Sequence, residues 1–179
     1  MNHIARQKGF TLIEFVIVIL IVAILSAAAY ELLGDSTTTK VYGTARKIQS
    51  DITYAQEQAM THRVHYRVQF TTATNSYTVQ ACSNQNTPCP GWSSILDPST
   101  NASPFAIALN TGSYTSVLLF STTFGCDYLE FNSAGVPMEG SAGVCPTPPV
   151  SITGFKTVTL NPGGRTVTVV AGTGKTSVP

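Results

Sequence analysis

Three groups of residues in this 179-residue chain have the types that chemistry uses. The segment Ala171-Gly172-Thr173-Gly174-Lys175-Thr176 ends like a phosphate-binding loop. The G-x-x-x-x-G-K-[ST] pattern, however, needs Gly where Val169 stands and a helix after it. Only three residues follow Thr176, so a polar tail after a last strand is expected rather than a nucleotide site. His62 and His65 have no patterned carboxylate or cysteine beside them and read as isolated histidines rather than a metal pair. Asp97, Asp127, Glu130 and Glu139 lack the oxygen-ligand spacing of an EF-hand. Neither G-x-S-x-G nor H-E-x-x-H occurs. No enzyme activity, cofactor or metal is expected.

The cysteines Cys82, Cys89, Cys126 and Cys145 allow three connectivities. Pairing Cys82 with Cys89 and Cys126 with Cys145 closes two local loops and is the expected arrangement, in an oxidising compartment where disulfides persist. A metal site is disfavoured by the absence of C-x-x-C and of a nearby histidine.

Glu14 is the other chemically informative residue. It lies in a stretch from Phe10 to Tyr30 that is otherwise apolar except for Thr11 and Ser26, and Phe15 to Leu25 is an unbroken apolar run of eleven. As a helix, Phe10 to Tyr30 reaches roughly 30 Å, the thickness of a bilayer's hydrocarbon core. Arg6 and Lys8 precede it without an acid, which places the amino terminus on the cytoplasmic side. A carboxylate in such a helix costs a few kcal/mol and demands a partner. Ser26-Ala27-Ala28-Ala29 imitates a signal-peptide cleavage site, but cleavage there would discard Glu14.

The residues Lys8-Gly9-Phe10-Thr11-Leu12-Ile13-Glu14, followed by the apolar run, resemble the leader of type IV pilins and type II secretion pseudopilins. The resemblance implies a prepilin peptidase that cleaves after Gly9, N-methylation of the new amino terminus at Phe10, and a Glu14 carboxylate that neutralises Phe10 of a neighbouring subunit as helices enter a filament. Glu31 stands where many major pilins carry a helix-kinking proline.

The remainder must be the exported domain. Only 11% of the chain is charged and its formal net charge is +1, against roughly 25% charged residues in average globular domains. A disordered chain and a polybasic nucleic-acid binder are therefore disfavoured. Gly34 to Thr39 holds four consecutive hydroxyl residues and reads as a weak point in a continuing helix. Beyond it, Val41, Ala45, Ile48, Ile52, Ala55 and Ala59 recur at helical spacing, a stripe that should face a sheet, with the helix ending near His62. Val64, Tyr66, Val68 and Phe70, then Tyr77, Val79 and Ala81, alternate as a hairpin around Asn75-Ser76. Further strands are expected at 105–109, 116–121, 128–131, 157–160 and 166–170, with an extended loop at Cys145 to Pro149.

The expected fold is α+β: a long amino-terminal helix, half transmembrane and half amphipathic, packed on an antiparallel β-sheet domain. Its divisions are a leader at 1–9, a membrane and filament-core helix at 10–33, and a periplasmic domain at 34–179 whose helix runs to about 62. Ala45-Arg46-Lys47, Tyr54 to Ala59, Tyr66-Arg67-Val68 and Phe131 to Pro137 resemble, more loosely, the GspH/FimT branch of these proteins. The resemblance implies a structural subunit, a minor pilin or pseudopilin in the inner membrane. Its partners would be other pilin subunits, the peptidase, and an assembly platform with its ATPase. The alternative is an adhesive or DNA-binding minor pilin at a pilus tip. Some relatives hold DNA through a carboxy-terminal Gly-Arg-x-Arg pattern, for which Lys175 of Gly174-Lys175 and Arg165 of Gly164-Arg165 are the counterparts here. So few cations make phosphate binding weak, and nucleic acid is not an expected partner.

Overall fold

Residues 11–32, 36–141 and 148–179 are described in the computed structural model of the protein. They divide between two units that meet in sequence at Ser36 and Thr37. The first unit holds α1 (Leu12–Leu32). Thr11 starts it: its Oγ1 accepts the Glu14 N–H at 3.3 Å, and its carbonyl accepts the Phe15 N–H at 3.2 Å. Thr11 and Glu14 thus stand in the S/T-x-x-E spacing of a capping box, with the carboxylate in the first turn, where the helix dipole favours it.

The second unit begins with α2 (Ser36–His62). Leu33 lies outside the described residues, as do Gly34 and Asp35 at the start of the stretch expected to be a weak point, and the hydroxyl run Ser36 to Thr39 is the first turn of this helix. Serine and threonine compete with helix interiors but suit helix amino termini, which is where these fall. The stripe Val41, Ala45, Ile48, Ile52, Ala55 and Ala59 is buried to 2% exposure or less. Arg63 closes the helix in the left-handed region at φ 57°.

Eleven strands follow among the described residues: β1 (Tyr66–Thr71), β2 (Ser76–Cys82), β3 (Trp92–Ser94), β4 (Ala106–Ala108), β5 (Leu118–Thr122), β6 (Tyr128–Phe131), β7 (Pro137–Glu139), β8 (Val150–Ser151), β9 (Phe155–Asn161), β10 (Arg165–Val170) and β11 (Thr176–Ser177). They form two antiparallel sheets, in keeping with the antiparallel β-sheet domain expected. One runs β3-β2-β1-β6-β7-β8, with β4 also on β2, and the other runs β11-β10-β9-β5. Asn75 turns the β1–β2 hairpin at φ 49°, and its Oδ1 accepts the Leu119 N–H of β5 at 3.2 Å, tying the two sheets together. Inward residues of both, among them Val68, Phe70, Val79, Leu129 and Phe131 from the first and Leu119, Val158, Leu160, Val167 and Val169 from the second, share one core with the α2 stripe. β3, β7, β8 and β11 have only two or three residues each. That is too short for a period of two to register in the sequence.

The phosphate-loop look-alike is a turn into β11, whose residues pair with β10. Gln56 of α2 donates through Nε2 to the carbonyls of Thr173 and Gly135, both at 2.8 Å, and pins this turn and the Asn132–Gly135 turn to the helix. A Cβ at Gly174, where φ is 68°, would lie 2.8 Å from both Gln56 Nε2 and Phe131 Cε1. Gly174→Ala is therefore expected to lower stability by about 1–3 kcal/mol, from left-handed strain and the forced release of Gln56. Urea unfolding followed by circular dichroism measures it.

Candidate functional site

The amino-terminal site is α1 itself. Leu12, Ile13, Phe15, Val16, Ile17, Val18 and the apolar residues after them to Leu25 are 36–83% exposed. They lie on every side of the helix, so α1 has no polar face to turn toward water. A helix that is hydrophobic all round belongs in apolar surroundings. Its described side chains end at Ala27, and among the described residues no helix is long and apolar enough to cross a membrane. Gly9 and Phe10, the expected cleavage and methylation positions, lie outside the described residues, so Glu14 is described without the group expected to pair with it.

In the domain, chemistry-bearing side chains of the described residues gather in three acid–base pairs whose carboxylates are buried. On α2, Lys47 Nζ lies 2.6 Å from Asp51 Oδ1, while Tyr77 of β2 donates its hydroxyl to Asp51 Oδ2 at 2.6 Å. Burial pushes the Asp51 carboxyl up, against the pull of Lys47 and Tyr77. Burial, reinforced by the Asp51 charge, pushes the Tyr77 phenol well above its ordinary value. Lys156 Nζ of β9 lies 2.7 Å from Glu139 Oε1, and Glu139 Oε2 accepts the Gly125 N–H at 2.8 Å.

The third pair joins His65, just before β1, to Glu130 of β6, with Nδ1 2.6 Å from Oε1. The other ring nitrogen, Nε2, lies 3.1 Å from Thr87 Oγ1. Burial raises the Glu130 carboxyl, while its hydrogen bond and charge contact with His65 and the nearby Arg67 oppose the rise. Arg67 stands opposite Glu130 in the β1–β6 register but gives Nε to Gln80 Oε1 at 2.8 Å and stacks over Trp92 at 4.3 Å. Lys47 and Asp51 could have been paired from their i,i+4 spacing. His65, Thr87 and Glu130 are brought together only by strand register and a loop.

That loop is closed by a disulfide between Cys82 and Cys89, with Cα atoms 5.8 Å apart. Cys126, at φ 57° in the turn before β6, is not a free thiol. Its expected partner Cys145 lies outside the described residues. Arg165 and Lys175 are not brought to one site. The Arg165 guanidinium lies 5.3 Å from the Tyr42 ring centre and donates to the Pro179 oxygen at 2.6 Å, whereas Lys175 is exposed on the turn before β11. His62 accepts no metal cluster either: Tyr66 Oη lies 3.2 Å from its Nδ1, and among the described residues no group of three His, Cys, Asp or Glu could hold a metal ion.

The Tyr77 shift has a measurable consequence. Above pH 10 the unfolded chain releases the phenolic proton while the folded one keeps it, so the native state binds more protons and stability falls as pH rises. Tyr77→Phe is expected to flatten this fall in melting temperature above pH 10, as read by circular dichroism across the alkaline range.

Residues 4–30 match the family model of the prokaryotic N-terminal methylation motif. No curated protein matches the chain. Among solved structures, two of the minor pseudopilin EpsH of the type II secretion system of Vibrio cholerae are similar. One has a TM-score of 0.54 at 14% identity, over 80% of this chain and 98% of that one. The other has a TM-score of 0.53 at 13% identity, over 78% and 94%. The type IV minor pilin FimU of Pseudomonas aeruginosa aligns at a TM-score of 0.46 and 12% identity, over 79% of this chain and 90% of that one, too distant to argue from. The chain thus carries the prokaryotic N-terminal methylation motif at its amino end and, beyond it, an α+β domain with the pilin-like fold of the minor pseudopilin EpsH.

Proposed function

We propose that the protein is a structural subunit, a minor pilin or pseudopilin, of a type II secretion pseudopilus or a type IV pilus. The observation that carries this reading is the methylation motif at residues 4–30, continued by an apolar helix that exposes its hydrophobic side chains all round. In this reading residues 1–9 are a leader removed by a prepilin peptidase after Gly9, Phe10 is methylated, and 10–33 anchor the chain in the inner membrane before entering the filament core. The crossing rests on the apolar sequence from Phe10 to Tyr30. Residues 34–179 form the periplasmic domain. Glu14 pairs with the amino group of Phe10 in the next subunit, and since an unpaired buried charge is heavily penalised, the pair sets the register of assembly. The other partners are sibling subunits, the assembly platform and its ATPase.

Arg165 already gives one donor to the Pro179 oxygen and shares the Tyr42 ring with Arg46, which favours a structural role over DNA binding through Arg165 and Lys175. Intact mass and amino-terminal sequencing of the protein from its native membranes test the proposal. A chain beginning at methylated Phe10 is expected. One beginning near Tyr30 makes the domain a free exported protein and overturns the reading.

A further inference from the structure

We propose that Thr87 is a covalent acyl-acceptor site, a hydroxyl activated by His65 and Glu130 that takes up an acyl group from an activated ester or thioester. The order of groups is that of an activated nucleophile: hydroxyl, imidazole, carboxylate, at 3.1 Å and 2.6 Å. An ionised Glu130 has only acceptors, so His65 Nδ1 carries the proton toward it and Nε2 is left to accept the Thr87 hydroxyl hydrogen. The base and the carboxylate are 4% and 2% exposed, whereas Thr87 is open to solvent. The reactive atom of the three is therefore the one a large reagent can reach.

Holding a surface loop does not require this arrangement. The loop is already tied by the Cys82–Cys89 disulfide and by the pairing of β3 with β2. Burying an imidazole and a carboxylate to add one more tether carries a desolvation cost that a neutral pair would avoid. Arg67, the other cation near Glu130, is occupied by Gln80 and Trp92, which leaves the carboxylate to orient His65.

In the step, Thr87 Oγ1 attacks the acyl carbon and its proton passes to His65 Nε2. The bond from the acyl carbon to the leaving oxygen or sulfur breaks, and the imidazolium returns the proton to that leaving group. Glu130 stays ionised throughout. Once acylated, Oγ1 has no hydrogen left to donate to Nε2, and the buried imidazole is poorly placed to activate water. The adduct persists, and the site is an acceptor rather than a hydrolase.

The test incubates the full chain in detergent micelles with p-nitrophenyl acetate and locates acetyl groups by peptide mass spectrometry. Within the wild-type chain, Thr87 is expected to acetylate about a hundredfold faster than the exposed Thr100 and Thr173, the scale of general-base assistance. p-Nitrophenol release should stop after one equivalent per Thr87 labelled. His65→Gln, checked for folding by circular dichroism, should reduce Thr87 labelling to the rate of the other threonines, and Thr87→Ser should keep it. Labelling of Thr87 no faster than of Thr100 overturns the proposal without recourse to any variant. Unchanged labelling in folded His65→Gln removes the activation, and continued turnover makes the site a hydrolase instead of an acceptor.

Discussion

Glu14→Ala is expected to leave removal of the leader after Gly9 intact while cutting incorporation of the protein into filaments on the order of a hundredfold. Its carboxylate lies in the first turn of α1, with its own N–H bonded to Thr11 Oγ1 at 3.3 Å. Losing that position's interaction with the helix dipole costs at most about 1 kcal/mol, too little to abolish a helix of such apolar character. The larger effect arises in assembly. In the proposed assembly, removing Glu14 sends the amino group of Phe10 from the neighbouring subunit into an apolar helix bundle unpaired, and breaking one side of a buried pair costs about 3–5 kcal/mol. At about 1.4 kcal/mol per factor of ten, that predicts a loss of at least about two orders of magnitude in the assembly equilibrium. Comparing the amount in sheared filaments with that in membranes by immunoblot decides it. Processing should be normal in both, and normal incorporation of the variant would remove the pairing argument.

Ile52→Ala is the substitution expected to weaken the domain most without touching a charge. Ile52 is fully buried at the middle of the α2 stripe, where α2 meets the core shared by both sheets. Its neighbours along the stripe are Ile48 and Ala55, both themselves fully buried in the same core. Truncating a buried isoleucine costs about 2–5 kcal/mol, the upper part of the range applying where the site collapses poorly. For a domain of this size each kcal/mol lowers the melting temperature by about 2–4 °C, so a fall of roughly 10 °C is expected by calorimetry. Ile52→Val, which removes a single methylene, should cost about 0.5–1.5 kcal/mol. Similar losses for the two would mean that the site is not a closely packed one.

The α2 stripe was legible in the sequence because helical periodicity is local. Six apolar residues at spacings of three and four can lie on one face of one helix and on nothing else, and all six are buried. The β1–β2 hairpin and β6 were legible for the same reason, each being a short alternating or apolar run bounded by turn residues. Of the stretch Gly34 to Thr39, Gly34 and Asp35 lie outside the described residues, and from Ser36 onward its hydroxyl residues stand at a helix beginning, a position that suits them better than a helix interior. Division into two sheets was not legible. It depends on which edge each strand chooses, and β5 joins β9 across a separation of 41 residues in the Leu119–Leu160 pair, with β6 to β8 between them in sequence.

The same divide runs through the candidate sites. Glu14, within the methylation motif and with the apolar run after it, belongs to a motif of contiguous residues whose physical demand, a charge in an apolar helix, exists whatever the rest of the chain does. The sequence by itself therefore determined the amino-terminal methylation motif, the apolar helix that carries it and the α+β class. The His65–Glu130 and Lys156–Glu139 pairs and the Thr87–His65–Glu130 relay were decided by the tertiary structure alone. His65 and Glu130 are 65 positions apart and meet because β1 pairs with β6, and Thr87 reaches them because a disulfide holds its loop over the sheet. A lone histidine in a sequence carries no mark of its partner, since charge pairing in a sheet is set by register and burial, and neither is a property of neighbouring residues.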